Sequence, residues 1–256
     1  MKHLKIVFFL LTVSLFGFLK SFGQTDIADT TIHVPMFFFS YSYQVPGGDL
    51  ADRFGNNSSA GGGFQWKTNT NWIFGVELNY IFGTEIKIED ELMGNLRTGS
   101  GQIIDQAGNF GIVNNYERGY FASFKFGKVI PVLSPNPNSG ILLTGSIGYL
   151  QHKIRIEVTD NNIPQLQDDY KRGYDRLAGG ITLSQFVGYI FFSNSKLANF
   201  YGGFEFTEAF AKPKRKVNFD TLLPDPVSKR FDLFMGIRLG WMIPLMRRMP
   251  EKVYYY

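Results

Sequence analysis

Cysteine is absent from this 256-residue chain, and charged residues make up only 19% of it. Without cysteine the chain has no disulfide framework, no thiolate zinc site and no cysteine for lipid attachment. Beyond the first 23 residues, no apolar run approaches the roughly 18 residues that a membrane-spanning helix needs. These absences exclude a bundle of membrane helices, and the stability of the chain must come from something other than disulfides.

Aromatic residues and glycine are abundant instead. The chain contains 26 Phe, 13 Tyr, 3 Trp and 28 Gly, and its aromatic share reaches 16%. Such a composition is typical of strand-rich or membrane-facing proteins and not of disordered ones. The composition therefore favours a β-structure that packs against itself or against lipid.

The N-terminal segment 1–23 has the pattern of a secretory signal peptide. Lys2 and Lys5 precede a short apolar stretch, and small residues stand at the −3 and −1 positions of a cleavage point after Gly23. Cleavage near Gly23 would remove Lys2, Lys5 and Lys20 and no acidic residue, which lowers the formal net charge from +4 to +1. The basicity is thus mostly a targeting signal, and we expect no nucleic-acid partner.

Apolar and polar side chains alternate with a period of two along the rest of the chain. The alternation is clearest over 71–83, where one face is oily and the other is small or polar. The oily face carries Trp72, Phe74, Val76, Leu78, Tyr80 and Phe82. Segments of this kind, near the length of about nine to eleven residues that a membrane-crossing strand needs, predict eight strands. The segments are 36–45, 62–67, 71–83, 116–130, 141–157, 181–193, 200–210 and 231–243.

The connectors between these segments alternate in length. The short ones are 67–71, 134–140 and 194–199, and the long ones are 46–61, 87–115, 159–179 and 217–230. This alternation is typical of an even-stranded outer-membrane barrel with short periplasmic turns and long extracellular loops. We therefore predict an all-β fold over 35–248, an eight-stranded antiparallel up-and-down transmembrane β-barrel with long extracellular loops. Short periplasmic segments, 24–34 and 249–256, would flank this barrel.

The three tryptophans all fall toward one predicted rim. Trp66 and Trp72 stand beside the first short connector, and Trp241 lies near the end of the last strand. Tryptophan is enriched at the membrane–water interfaces of outer-membrane barrels. The three side chains are therefore predicted to belong to a periplasmic aromatic girdle.

On this architecture the chain resembles the small eight-stranded outer-membrane barrels of Gram-negative bacteria, the class of the outer membrane protein A barrel and the outer membrane protein X type. Gln24 at the processed N-terminus and the segments 46–50 and 173–177 are similar to the Bacteroidota branch of that class. The resemblance implies an integral outer-membrane location. By analogy it implies a role beside outer-membrane protein assembly or secretion machinery.

Eight strands enclose a lumen only wide enough for side chains, so inward-facing residues fill it. Four charged inward candidates lie near mid-strand: Glu77, Lys125, Glu205 and Arg238. Buried charges must be paired, and strands three and four, like seven and eight, are neighbours. We therefore expect Glu77 to pair with Lys125 and Glu205 with Arg238. The set is interpreted as a structural plug, with a narrow ion path or carboxylate catalysis as alternatives.

Six basic residues cluster where strand seven ends and strand eight begins. They are Lys212, Lys214, Arg215, Lys216, Lys229 and Arg230. Lipopolysaccharide phosphates lie at this height, so the cluster predicts a lipid-phosphate contact, with a merely solvated edge as the alternative. The expected partners are outer-membrane lipids, lipopolysaccharide and other outer-membrane proteins.

Two histidines remain after the signal peptide, His33 and His152, and they are far apart in sequence. We therefore expect neither a metal site nor a cofactor. His152 lies near the outer end of strand five, where a lipid hydrolase or acyltransferase would hold its base, but no serine is near it in sequence. An enzyme is accordingly not predicted.

In the longest loop, acidic residues early in 88–97 and leucines at four-residue spacing predict a short helix over the barrel mouth. Three functions are compatible with the sequence as a whole. The first is a non-catalytic structural or accessory subunit of an envelope protein complex. The others are a narrow gated transport barrel and an outer-membrane lipid-modifying enzyme.

Overall fold

The computed structural model describes residues 30–159, 163–193, 197–225 and 229–245. The predicted signal peptide 1–23 and the predicted C-terminal tail 249–256 lie outside the described residues, as does most of the segment that would precede the barrel. Within the described ranges, no helix combines the length and hydropathy that a membrane crossing by a helix requires.

Eight antiparallel strands account for most of the described chain. They are β1 (Val34–Gly48), β2 (Asn57–Lys67), β3 (Trp72–Gly83), β4 (Ile112–Ile130), β5 (Gly140–Thr159), β6 (Ala178–Phe191), β7 (Phe200–Pro213) and β8 (Arg230–Pro244). Each strand pairs with the next in sequence, and β8 pairs with β1, so the sheet closes into a barrel without an edge. The predicted fold class is confirmed.

The period-two pattern of the sequence sets which side chains face outward. In β3, Phe74 is 51% exposed and Leu78 59% exposed, whereas Glu77 and Asn79, on the opposite face, are buried at 5% and 1%. Strands β1, β4, β7 and β8 repeat this arrangement in their middle parts, with apolar side chains outside and polar ones inside. A barrel in water would bury the apolar face instead, so the exposed belt fits a lipid environment.

The largest difference from the predicted strand ends concerns the first hairpin. The segment 46–61 was expected to be a long loop, but β1 and β2 continue into it and leave only 49–56 as a connector, which we call loop 1. Ser59 pairs with Ser42 and faces the polar lumen, where such a residue is acceptable. Ser58 pairs with Tyr43 on the outward face, and its hydroxyl is hydrogen-bonded to that of Tyr41 at 2.7 Å. The prediction of a long first loop was therefore wrong.

The other extracellular connectors are loop 2 (84–111), loop 3 (160–177) and loop 4 (214–229). The helix predicted over 88–97 is not formed: this segment contains only the 3-10 turn Gly94–Leu96. Met93 has a positive φ of 59°, and Gly94 follows it, so the backbone cannot continue as a helix there. Leu92 and Met93 are nevertheless fully buried, so loop 2 does cover the barrel mouth.

Two apolar layers fill the ends of the barrel. The periplasmic layer includes Met36, Phe38, Ile73, Val129, Phe186, Ile190 and Met242. The outer layer combines inward strand residues with loop residues, among them Ile81, Phe121, Leu150, Phe234, Leu50, Phe54, Leu92 and Met93. We call the extracellular loops together the cap. Because residues of these loops complete the outer layer, the barrel and its cap share one core.

The three tryptophans lie at the end of the barrel where the short connectors are found. Trp66 donates a hydrogen bond from Nε1 to Nε2 of His33 at 2.8 Å, and Trp241 donates from Nε1 to the carbonyl oxygen of Leu197 at 2.6 Å. Trp72 stacks on Phe74 at the start of β3. All three side chains are partly exposed, as an interfacial position requires.

Candidate functional site

The four charged residues predicted for the lumen meet in one cluster between the two apolar layers. Nη1 of Arg238 lies 2.9 Å from Oε1 of Glu205 and 3.2 Å from Oε2 of Glu77. Nζ of Lys125 lies 3.6 Å from the same Oε2 of Glu77. Each expected pair is thus within ion-pair distance. Arg238 also contacts both acids, a contact that could not be predicted from the adjacency of the strands in sequence.

Hydroxyl groups complete the hydrogen bonding of this lumen cluster. Ser123 donates from Oγ to Oε1 of Glu77 at 3.0 Å, and Nε of Arg238 donates to Oγ of Ser42 at 3.2 Å. On its periplasmic side, Nζ of Lys125 lies 4.0 Å from the ring centroid of Phe38. Two acids and two bases therefore balance in a buried, hydrogen-bonded set, which is the arrangement that makes buried charges tolerable.

Buried apolar side chains lie on both sides of this cluster in the described part of the barrel. Phe38 and Met36 close the lumen on the periplasmic side, and Phe121 and Phe234 close it on the outer side. All four side chains are at most 5% exposed. The geometry thus fits a packed lumen, as is usual for eight strands.

A second buried polar cluster lies in the outer half of the barrel and was not predicted from the sequence. Asp232 accepts hydrogen bonds from Nε2 of His152 at 3.1 Å and from Nη2 of Arg230 at 3.0 Å. Arg230 also donates to the carbonyl oxygen of Asp49 in loop 1 at 2.6 Å. This outer cluster therefore ties β5 and β8 to the first loop.

The outer cluster bears on the lipid-enzyme hypothesis. His152 has an acidic partner from another strand, as a catalytic base would, but its side chain is fully buried and its ring packs edge-on against Phe54. Nδ1 of His152 has no hydrogen-bond partner among the described residues, so no serine is positioned to be activated by it. The geometry gives catalysis at this histidine no support.

The six basic residues predicted to contact lipid phosphate do not form one surface. Lys212, Lys214, Lys216 and Lys229 are exposed. Arg215 instead donates two hydrogen bonds to the carboxylate of Asp175, at 2.9 and 2.6 Å, and these raise the pKa of its guanidinium. Arg230 is only 4% exposed and belongs to the outer cluster, so its assignment to the lipid contact was wrong. It points inward because its position in β8 has the same parity as Asp232.

Ion pairs between loops stiffen the cap. Arg53 of loop 1 lies 2.5 Å from Asp225 of loop 4, and Arg176 of loop 3 lies 2.5 Å from Asp220 of loop 4. All four side chains are at most 10% exposed. Burial, followed by the nearby charge of Arg230, lowers the pKa of Arg53, while Asp225 opposes that shift. Loop 4 is therefore joined by buried ion pairs to loop 1 and to loop 3.

Within the described ranges, no group of three or more His, Asp and Glu side chains is placed to hold a metal ion. In both clusters the charged groups are paired with groups of opposite charge, so the arrangement can hold buried charge in place. The functional surfaces that remain are the outer rim and the loops.

No protein-family model matches the chain, and no curated protein matches it. Among solved structures, the chain is similar to Neisserial surface protein A, with 9% identity over 82% of this chain and 96% of that one, at a TM-score of 0.43. It is also similar to Ail, the attachment invasion locus protein of Yersinia pestis, with 10% identity over 83% and 100% and a TM-score of 0.42. The outer membrane protein OprG from Pseudomonas aeruginosa matches with 10% identity over 85% and 99%, at 0.35. At such identities the likeness concerns the fold alone.

Proposed function

We propose that this protein is a non-conducting outer-membrane barrel that serves as a structural or accessory subunit of a cell-envelope protein complex. The observation that carries the proposal is the filled lumen, in which the cluster of Glu77, Lys125, Glu205 and Arg238 is sealed between two apolar layers. A transport barrel needs a polar path or a gate, and an enzyme needs an accessible reacting group. The burial of the lumen cluster and of His152 supports neither of these alternatives.

The membrane location is supported by the outer surface of the barrel. Closure of the sheet satisfies the backbone hydrogen bonds, which a membrane-spanning β-structure requires. An apolar belt covers the outside, with three tryptophans at one end. The predicted signal peptide would export the chain across the inner membrane, as an outer-membrane barrel requires. The Bacteroidota affiliation implied by the resemblance stays a prediction.

The accessory role is supported by the cap. Ion pairs and a shared core hold the loops in place, yet Phe110 of loop 2 is 63% exposed and Leu222 and Leu223 of loop 4 are 75% and 63% exposed. Exposed apolar side chains that lie next to one another, such as the two leucines of loop 4, are typical of protein-contact sites. A firm platform carrying such residues suits contact with another protein. By analogy, the candidate complexes are the outer-membrane assembly and secretion machineries.

Lipid contact is part of the same proposal. Lys212, Lys214, Lys216 and Lys229 remain exposed where lipopolysaccharide phosphates would lie. Nζ of Lys214 lies 5.8 Å from the ring centroid of Tyr149 on the outward face, which places this lysine against the membrane-facing surface. These four lysines can retain lipid around the barrel without forming an enclosed site.

Conductance distinguishes the sealed barrel from a transport barrel. We expect the purified, folded protein to produce no steady current steps in planar bilayers at either polarity, because side chains fill the lumen throughout. Insertion into vesicles is first verified by heat-dependent gel mobility, which identifies a folded barrel. An absence of current then reflects a closed lumen and not a failure of insertion. A steady, reproducible conductance would contradict the proposal and favour the transport hypothesis.

Native electrophoresis tests the accessory role. A short tag inserted after Leu133, which is 91% exposed in the 131–139 turn, leaves the loops intact. After gentle detergent extraction we expect the protein to co-migrate in a defined large complex. The double variant Leu222→Ser with Leu223→Ser is expected to release it, because the apolar contact on loop 4 is lost.

The matched control for this experiment is Leu133→Ser in an untagged chain detected by antibody, since this leucine lies at the opposite end of the barrel. The control is expected to remain in the complex. If the wild-type protein runs alone, or if both variants behave as the wild type does, the role assigned to the loop platform is wrong.

A further inference from the structure

A cleft opens at the outer rim where β5 extends beyond β6. The pairing of β5 with β6 ends at His152 opposite Ala178, so the rest of β5 pairs only with β4. Loop 3 approaches this free edge, and the backbone N–H of Ile154 donates to the carbonyl oxygen of Asp175 at 2.7 Å. A cavity of about 450 Å³ remains between β4, β5 and loop 3. We call it the rim cleft.

Basic side chains dominate the lining of the rim cleft. They are Arg118, Lys153, Arg155, Lys171 and Arg172. The acidic side chains of the lining, Glu157 and Asp175, are already paired, with Arg155 at 2.7 Å and with Arg215 at 2.6 Å. Lys153 and Lys171 have no carboxylate within ion-pair distance in the part of the chain that the structure describes. Among the described residues, the cleft thus presents two ammonium groups without a carboxylate partner, next to further positive charge.

Two of these charges face each other in an unfavourable way. Arg118 and Lys153 are direct cross-strand partners, and both point to the outside of the barrel. Like charges placed opposite each other destabilise a sheet. Arg118 is held there by hydrogen bonds to the carbonyl oxygens of Gly83 and Glu117 and by the ring of Tyr116. An anion bound between the two strands would remove this repulsion.

The height of the rim cleft matches the headgroups of the outer leaflet. Tyr80 and Tyr120, which line its lower side, are cross-strand partners on the outward face. Tyr80 lies eight positions beyond the interfacial Trp72, or about 20 Å along the membrane normal at about 3.3 Å per residue and a tilt of about 40°. Arg118 and its partner Lys153 lie one lipid-facing position beyond Tyr120, in the direction of the cell exterior. An apolar band about 25 Å tall therefore ends at the cleft.

We propose that the rim cleft binds the phosphate groups of a phosphorylated glycolipid of the outer leaflet, with Lys153 and Lys171 as the principal ligands. The inference rests on the proposed outer-membrane location. Ammonium groups bind phosphate oxygens through charge-assisted hydrogen bonds, and the tyrosines below meet the upper part of the acyl region. The site is separate from the exposed lysines of β7 and loop 4, which do not line the cleft.

Binding is measured with the full-length folded protein in neutral detergent micelles. The probes are bisphosphorylated lipid A, the same lipid after enzymatic removal of its phosphates, and inorganic phosphate. We expect the wild type to bind lipid A and not the dephosphorylated lipid. Lys153→Gln with Lys171→Gln is expected to weaken binding about tenfold or more, because both charge-assisted hydrogen bonds to the phosphate are lost.

Lys87→Gln with Lys128→Gln removes the same charge from exposed positions that do not line the cleft and serves as the matched control. It is expected to weaken binding less than threefold. If both double variants weaken lipid A binding equally, or if neither does, the rim cleft is not the site. Binding is then explained by electrostatic attraction to the basic surface as a whole. Heat-dependent gel mobility verifies that each variant is folded before binding is compared.

The remaining measurements distinguish lipid-bound phosphate from free phosphate and test the outer-membrane location separately. If inorganic phosphate binds at the cleft and lipid A does not, the glycolipid assignment is wrong. Cell fractionation tests the membrane location independently of the micelle measurement. A protein found in the outer membrane that fails to bind lipid A overturns only the rim-cleft proposal, whereas lipid A binding by a protein absent from that membrane overturns the proposed function.

Discussion

Replacing Arg238 with alanine is expected to lower the free energy of unfolding by about 3–5 kcal/mol, the range found when one partner of a buried ion pair is removed. Arg238 contacts both Glu77 and Glu205, and all three side chains are at most 5% exposed. Without the guanidinium, Lys125 alone would face two buried carboxylates. The lumen would then hold an uncompensated negative charge between two apolar layers.

The measurement is a urea titration of the folded barrel in lipid vesicles, followed by tryptophan fluorescence. Arg238→Gln with Glu205→Gln removes one charge of each sign and is expected to recover part of the loss, because the remaining Glu77–Lys125 pair is balanced. Lys229→Gln on the exposed rim is the control and should change the free energy by less than about 0.5 kcal/mol. A loss below about 1 kcal/mol for Arg238→Ala would contradict a structural role for the cluster.

Asp232→Ala is expected to have an effect of similar size, about 3–5 kcal/mol, and to loosen the cap as well. Asp232 is fully buried and receives hydrogen bonds from His152 and Arg230. Its removal would leave the charge of Arg230 unpaired near Arg53, whose pKa is already lowered by burial and by Arg230. Arg230 also anchors loop 1 through the carbonyl oxygen of Asp49, so the disturbance should reach that loop.

Hydrogen exchange separates the local effect from the global one. The amide of Phe231 donates to Oδ2 of Asp49 at 2.6 Å, and the amide of Asp49 donates to the carbonyl oxygen of Phe231 at 2.9 Å. Both amides are expected to exchange faster in Asp232→Ala than overall unfolding accounts for. The conservative Asp232→Asn keeps an acceptor and should fall between the wild type and alanine. Unchanged protection at these two amides would show that Asp232 supports only the barrel wall.

The number, order and orientation of the strands were predictable because they depend on local sequence. A period-two pattern determines which face of each strand is oily, and the turn residues between patterns set the antiparallel connections. For that reason the alternation in 71–83 and 231–243 predicted β3 and β8 to within two residues at each end. The prediction of the first hairpin was less accurate because Ser58, Ser59 and the glycines at 61–63 carry no apolar pattern. These residues nevertheless pair normally with β1.

By itself, then, the sequence determined an eight-stranded barrel with an apolar outside and charged residues inside, because both properties follow from residue parity along each strand. Only the tertiary structure decided that Arg238 bridges both lumen acids and which charges meet in the outer cluster and between the loops. Asp232 pairs with His152 across 80 residues, and Arg53 pairs with Asp225 across 172. Contacts of this kind depend on barrel closure and on the path of the loops. The rim cleft arises for the same reason, since its basic residues are brought together by the register of β4 with β5 and by the fold of loop 3.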